Sequence, residues 1–446
     1  MPEDAAEPTS EHVEPGAQPS GTENTGTDAA TNAAAPDTQP PAPRRRRWRR
    51  TAAWTAAAIA LALVAGTGTA YAYYRSLRGN MTRHDLGATL DEAERPPKIG
   101  DDVNILFIGS DGREGGNSDY GGRDFVGERS DSLMLAHISP DSRVTVVNFP
   151  RDSLVQLPDC DPYGETEGTG GYYGMINSAL FHGGPPCVVK TIESLTDIRI
   201  DHFAHLSFVG FRDMVDAIGG VDMCIPEPMQ DERARLDLEA GDQTLTGEEA
   251  LGFVRARYEI GDGGDIGRID RQQMFLGALA DQVTSSDVLT SPAKMTGLLE
   301  AVSEHTATDE DLQLSRMVSI GTTLADAQLS DIAFYTVPWF QAPMDPNRVI
   351  WDEENAAELF AAIAADRPVD DRILETGEAE EGSGSEGADP SASPGAAGPS
   401  PEASPQPSPE AGSGTDGAEA DGTGIEGRDA TSNPCVNGLG EGTEDM

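Results

Sequence analysis

One uncharged stretch constrains this chain more than any other feature. From Thr51 to Tyr74 no residue carries a charge, and the stretch follows directly on Arg44, Arg45, Arg46, Arg47, Trp48, Arg49 and Arg50. As a helix it would rise about 36 Å, enough to cross a hydrocarbon core of about 30 Å. Trp48, Trp54, Tyr71, Tyr73 and Tyr74 stand near its two ends, where amphipathic rings favour the membrane–water boundary. A cleaved signal peptide would be shorter and nearer the start, although Ala70 and Ala72 imitate a small-residue cleavage site. Six Arg before the span against Arg75 and Arg78 after it predict a single-pass protein of the cell membrane. Its N-terminus would be cytoplasmic and its bulk extracytoplasmic. A nucleic-acid patch is the rival reading of the Arg cluster, and the abutting apolar span outweighs it.

Both ends of the chain read as solvated. Residues 1–43 hold eight acidic residues and no Lys or Arg, so no apolar face forms to offset the entropy of ordering. Residues 371–446 repeat the pattern, with 17 acidic residues against two Arg and a low-complexity run from Ser391 to Pro409. Only Asn433 to Gly438 has the makings of a docking segment in that tail. The expected organisation is a disordered cytoplasmic segment (1–50) ending in the basic cluster, a transmembrane helix (51–74) and a juxtamembrane linker (75–100). A folded domain (101–370) and a disordered acidic tail (371–446) follow. The formal charge of −46 argues against a nucleic-acid partner held by an overall basic field. Four cysteines without a CxxC pair argue against a zinc ribbon or a thioredoxin-like site.

Within 101–370, short apolar runs alternate with helical periodicity. Val103 to Ile108, Ser132 to Ile138, Val144 to Phe149, Val221 to Ile225 and Ile332 to Val337 read as strands. Cys187 to Leu195, Phe208 to Ile218 and Glu353 to Ala364 read as helices, and Gly219-Gly220 stops the second. Thr246-Gly247-Glu248-Glu249 has capping-box spacing, and Arg268 to Val283 carries an apolar stripe through Met274, Phe275, Ala278, Leu279 and Val283. The prediction is an α/β fold: a layered α/β/α domain around a central mixed sheet. Cys160 and Cys187 flank a Gly-rich loop in a compartment where disulfides persist, and they are expected to pair. Cys224 is either a free buried thiol or the partner of Cys435.

The arginines carry the chemistry. Arg129 and Arg151 sit at strand boundaries beside Asp131 and Asp152, and Arg255, Arg257, Arg268 and Arg271 crowd together further on. Guanidinium forks suit phosphate oxygens. Arg268 and Arg271 share a face in the first turn of a predicted helix, whose N-terminus itself favours an anion. Asp111 and Asp131 follow strand-like segments, and ligands of open α/β sheets gather at strand ends. Carboxylates among phosphate-binding arginines suit Mg²⁺. Together these residues describe a pyrophosphate or phosphodiester site; surface ion pairs are the bland alternative for any single Arg.

Asn104-Ile-Leu-Phe-Ile-Gly-Ser-Asp111, Arg129-Ser-Asp-Ser-Leu-Met134, Asn148-Phe-Pro-Arg-Asp152, Ile176-Asn-Ser-Ala179, Gly219-Gly-Val-Asp222, Phe253-Val-Arg-Ala-Arg-Tyr258 and the Arg268 to Gln273 run resemble, in this order, the LytR-CpsA-Psr family. The resemblance covers roughly residues 100–290 and extends to the N-terminal anchor. It implies a cell-wall glycopolymer phosphotransferase. Such an enzyme moves a phosphopolymer, for instance a teichoic acid, from a polyprenyl-pyrophosphate carrier to peptidoglycan and leaves polyprenyl phosphate in the membrane. Mapped onto matching positions, Asp111 and Asp131 would hold Mg²⁺. Arg129, Arg151, Arg255, Arg257, Arg271 and Gln272 would grip the pyrophosphate, with Arg113 and Arg268 as further candidates. Phe203, Phe208, Phe211, Met214 and Val215 are candidates for an apolar prenyl slot, with ordinary core packing as the alternative. Met175 stands where a Lys is expected, and Asp242 where some relatives carry a Cys. Asp111, Asp131 and Asp152 are all candidates for general base. A pyrophosphate hydrolase using the same residues, and a membrane-anchored regulator, are the rival functions.

Overall fold

The computed structural model of the protein describes residues 45–110, 128–256, 265–285, 288, 291–369, 427–433 and 435. The first described element is one long helix, α1 (Arg45–Asn80). Among the described residues it holds the one helix segment, Arg47–Asn80, long and apolar enough to cross a membrane. Trp54, Ile59, Leu61 and Val64 lie fully on its outside. The helix runs past the expected end at 74, and near its close Leu77 is buried in the folded unit.

The expected linker 75–100 is not a plain connector. Its residues Thr82–His84 form a strand, β1, and Leu86–Thr89 a short helix, α2, with Met81, Leu86 and Leu90 buried. Apolar side chains at these positions tie the segment to the domain. The chain then gives β2 (Val103–Ser110), β3 (Ser130–Ile138), β4 (Val144–Asn148) and a hairpin of β5 (Leu154–Cys160) with β6 (Thr169–Met175). Helix α3 (Ser178–Thr196), β7 (His202–Ser207) and α4 (Phe208–Ile218) follow, then β8 (Val221–Ile225), β9 (Met229–Asp231), β10 (Leu236–Leu238) and β11 (Gly241–Leu245). Next come α5 (Gly247–Arg255), α6 (Asp265–Ser285), α7 (Pro292–His305), β12 (Thr306–Asp309) and α8 (Leu314–Asp326). The last elements are β13 (Ile332–Thr336), β14 (Trp339–Gln341), β15 (Val349–Trp351), α9 (Glu353–Ala364) and β16 (Gly427–Asp429).

Eight strands build the central sheet in the order β1-β12-β7-β2-β3-β4-β13-β16. It is mixed: β2 runs parallel to β7 and antiparallel to β3, while β4 runs parallel to β13. The period-two pattern of β2 divides its side chains between two cores. Leu106 and Ile108 face a core closed by α3 and α9, whereas Ile105 faces the opposite side, with Leu276 and Ala280 of α6 and Ile320 and Leu324 of α8. This is the expected α/β/α layering. Local chemistry sets the helix ends. The Ser207 hydroxyl accepts from the Gly210 amide to start α4, and Gly219 ends it at φ 95°, a conformation that favours glycine. At α5 the Thr246 amide donates to Glu249 Oε2 at 2.9 Å, completing the capping box read from the sequence.

Both cysteine pairs are disulfides. Cys160 bonds Cys187, as expected, and Cys224 bonds Cys435, which settles the open alternative against a free thiol. The expectation of a disordered tail from 371 onward fails at its far end. Strand β16 pairs antiparallel with β13, Ala430 is buried, and Arg428 Nη2 lies 3.2 Å from Asp270 Oδ1. A covalent tether and a free sheet edge hold a segment whose composition alone would leave it solvated.

Candidate active site

Three structural units converge on one place. Asp131 lies on β3, Arg151 on the turn between β4 and β5, and Asp265 on the first turn of α6. Arg151 is the hub. Its Nη1 pairs with Asp131 Oδ1, its Nε lies 3.4 Å from Asp265 Oδ1 and 3.6 Å from Asp152 Oδ2, and its amide donates to Asp265 Oδ2 at 3.0 Å. Burial works against the charge, yet Asp131, Asp265 and Asp152 outweigh it and hold the guanidinium pKa above its ordinary value. Asp265 also pairs with Arg268, and Asp152 with Arg348 Nη1 at 3.3 Å.

Arg255 ends α5 with its guanidinium 4.5 Å from the centre of the Phe208 ring, a cation–π contact that fixes its direction. Gln272 accepts from the Ser132 hydroxyl at 3.2 Å and donates to the Val254 carbonyl at 3.3 Å, bridging β3 and α5 from α6.

Asp131, Arg151, Arg255, Arg268 and Gln272 line a single cavity of about 600 Å³. Beyond this polar rim the walls are almost wholly apolar. They comprise Phe107 and Met134 from the sheet, Phe208, Phe211 and Met214 from α4, Leu279 and Val283 from α6, and Ile320 and Leu324 from α8. Three of the five expected slot residues therefore line it. Phe203 and Val215 do not: both are packed in separate cores.

Other expected residues fall elsewhere. Arg271 is 2% exposed and donates to the Ala256 carbonyl at 2.5 Å, so it braces the α5–α6 junction and does not line the cavity. Arg129, immediately before β3, also lies off the cavity wall, but its charge reaches His182. Asp111, Arg113 and Arg257 lie outside the described residues. Asp265 and Arg348 were missed as partners. Asp265 had a local signal in its i, i+3 spacing to Arg268, whereas Arg348 lies far along the chain from Asp152 and had none.

The donor set bears on a metal. Among the described residues no group of three or more His, Cys, Asp or Glu is placed to hold one. Asp131 supplies a hard carboxylate at the cavity wall. One or two carboxylates completed by phosphate oxygens are the chemistry that Mg²⁺ accepts; of the two expected ligands only Asp131 is among the described residues, and it is paired with Arg151.

Fold and site define an α/β/α domain that opens an apolar cavity behind a rim of guanidinium and carboxylate groups. The chain belongs to the LytR_cpsA_psr family, whose model matches residues 63–363. It is 36% identical over 274 residues to the probable cell wall biosynthesis protein LcpB of Corynebacterium glutamicum, a match spanning 58% of this chain and 61% of that protein. It is 28% identical over 312 residues to the polyisoprenyl-teichoic acid–peptidoglycan teichoic acid transferase TagV of Bacillus subtilis, covering 68% of this chain and 74% of the relative. In fold it is similar to the LytR-Csp2A-Psr enzyme from Actinomyces oris, at TM-score 0.50 and 20% identity, with 64% of this chain and 96% of that chain covered.

Proposed function

We propose that this protein transfers a phosphoglycopolymer from a polyprenyl-pyrophosphate carrier to peptidoglycan. A phosphodiester forms and polyprenyl phosphate is released. One observation carries the reading: a rim of Arg151, Arg255, Arg268 and Gln272 opens into an apolar cavity of about 600 Å³. A diphosphate joined to a long hydrocarbon has that shape and that polarity. The transferase name of the Bacillus relative supports it, as does α1, which would keep the site beside a lipid that cannot leave the bilayer. The proposed topology is single-pass, with the N-terminus cytoplasmic and the domain outside.

In this mechanism an acceptor hydroxyl attacks the phosphorus that bears the polymer, and the bond to polyprenyl phosphate breaks. Phosphoryl transfer needs positioning and charge neutralisation more than covalent participation. Arg255 and Arg268 offer forked donors to the diphosphate oxygens, and Gln272 adds a neutral polar group on the same cavity wall. Arg151 orients Asp131. Asp131 and Asp111 would hold Mg²⁺, which when bound supplies further neutralisation of the diphosphate. The apolar walls hold the prenyl chain and exclude water from the reacting end.

The test is product analysis with a polyprenyl-pyrophosphate donor, with and without peptidoglycan. A covalent phosphopolymer–glycan adduct is expected. Release of polymer monophosphate alone in both reactions would assign the site to hydrolysis and overturn the proposal.

A further inference from the structure

The transfer reaction needs a second substrate, and the cavity holds only the first. A separate aromatic cluster lies where the β5–β6 hairpin meets the start of α3. Tyr172 on β6 and Phe181 on α3 are 38% and 39% exposed, large values for aromatic rings in contact with other rings. Between them stands His182, whose ring meets Tyr172 at 84° and Phe181 at 78°, with centroids 5.3 Å and 5.1 Å away. The Tyr172 hydroxyl and His182 Nε2 are 2.8 Å apart. Burial and the charge of Arg129 outweigh a backbone hydrogen bond to Gly168 and lower the His182 pKa from its ordinary value.

The hairpin side of the cluster is anchored. The Tyr172 ring folds over Gly174, where a Cβ would come within 2.3 Å of it. Cys160 at the end of β5 is bonded to Cys187, which ties the hairpin to the part of α3 beyond its break at Gly183–Gly184. The hairpin is joined to the donor rim through the chain. Leu154 pairs with Met175 and Leu157 with Tyr172, so the hairpin leaves the sheet three residues after Arg151, and the Ile176 amide donates to the Ser153 carbonyl at 2.9 Å.

We propose that Tyr172, Phe181 and His182 form the acceptor subsite, a platform for the neutral sugar rings of a glycan strand. Sugar rings present C–H faces that stack on aromatic rings and hydroxyls that need a donor or acceptor close by. The two exposed rings supply the first and the Tyr172–His182 pair the second. No Asp, Glu, Lys or Arg interrupts β6 or the segment Ser178–His182. The assignment rests on reading the cavity as the donor site.

The experiment uses the full chain in detergent and insoluble peptidoglycan sacculi stripped of attached polymers. Sedimentation with sacculi is expected to weaken about tenfold or more in the Tyr172→Ala/Phe181→Ala double variant, from two lost ring contacts. Tyr172→Phe is expected to keep most of the binding. Affinity for a polyprenyl-pyrophosphate probe, measured separately, is expected to stay at the wild-type value in all three proteins. Absence of wild-type binding to sacculi, or equal binding by the double variant, overturns the inference. So does a loss confined to phosphatidylglycerol vesicles, which would make the cluster a lipid-facing patch. Failure of the wild type to bind the probe would sink the donor assignment instead, and the two failures are read in different assays.

Discussion

The Cys224–Cys435 bond joins residues separated by 211 positions, against 27 for Cys160–Cys187. In the loop-entropy model these separations correspond to about 5 and about 3.5 kcal/mol of stabilisation, and measured values commonly fall to about 2–4 kcal/mol. The longer tether also holds a three-residue ladder, the Arg428–Asp270 pair and the buried Ala430. A ladder this short does not hold an edge by itself, because closing so long a loop costs more than three strand residues return. The Cys224→Ser/Cys435→Ser double variant is therefore expected to lose about 3 kcal/mol. For a folded unit of roughly 300 residues the unfolding entropy is about 600 cal/mol/K, so the melting midpoint falls by about 5 °C. Asp270 lies on α6 between Arg268 and Arg271, so release of β16 is also expected to loosen the cavity rim and weaken donor binding. The assay is thermal unfolding of the detergent-solubilised full chain without reductant, paired with a donor-binding titration. A midpoint within about 1 °C of wild type would refute the reasoning, since it would mean that the docked tail contributes nothing to the fold.

Arg255→Ala is expected to lower affinity for a polyprenyl-pyrophosphate probe about tenfold to a hundredfold, the worth of a charged hydrogen bond. Its melting midpoint should move little, since the Phe208 contact is worth about 0.5–1 kcal/mol; titration and melting together check both. Ala280→Trp places a large ring among the cavity walls and is expected to weaken binding of long-chain donors more than short-chain ones, an equal effect on both being the contrary result in calorimetry. Glu128 supplies a pH test. Burial raises its carboxyl pKa, but His205, 2.9 Å away, and the Ser110 hydroxyl outweigh that and hold it below the ordinary carboxylate value. Its stabilising contribution is thus fully present above about pH 4.5 and is lost as pH falls through the lower folded value. Glu128→Gln should flatten that part of the stability–pH curve, and an unchanged curve measured by denaturant titration would contradict the role of the pair.

Much of the fold was legible locally. The apolar run Val103 to Ile108, the Gly219 stop and the Thr246–Glu249 box are short-range signals, and each appears where the sequence places it. Site chemistry was legible as residue type: Asp131, Arg151, Arg255, Arg268 and Gln272 do share one cavity. Direction was not. Arg268 and Arg271 share a helix face by spacing, yet Arg268 lines the cavity while Arg271 turns to the Ala256 carbonyl. Phe208 and Phe203 are equally apolar, and only the former borders open space.

Charge and hydropathy along the chain determined by themselves that one segment can cross a membrane and that a strongly acidic chain crowds several arginines into a few short runs, a chemistry suited to an anion. Those conclusions follow from composition and spacing, which need no knowledge of neighbours. Tertiary structure alone decided that residues 82–84 and 427–429 complete the two edges of the sheet, that Cys224 reaches Cys435, and that Asp152 meets Arg348. Such pairings join positions remote in sequence, and they form because the sheet and its packed helices leave unfilled edges and uncompensated charges that distant segments can satisfy.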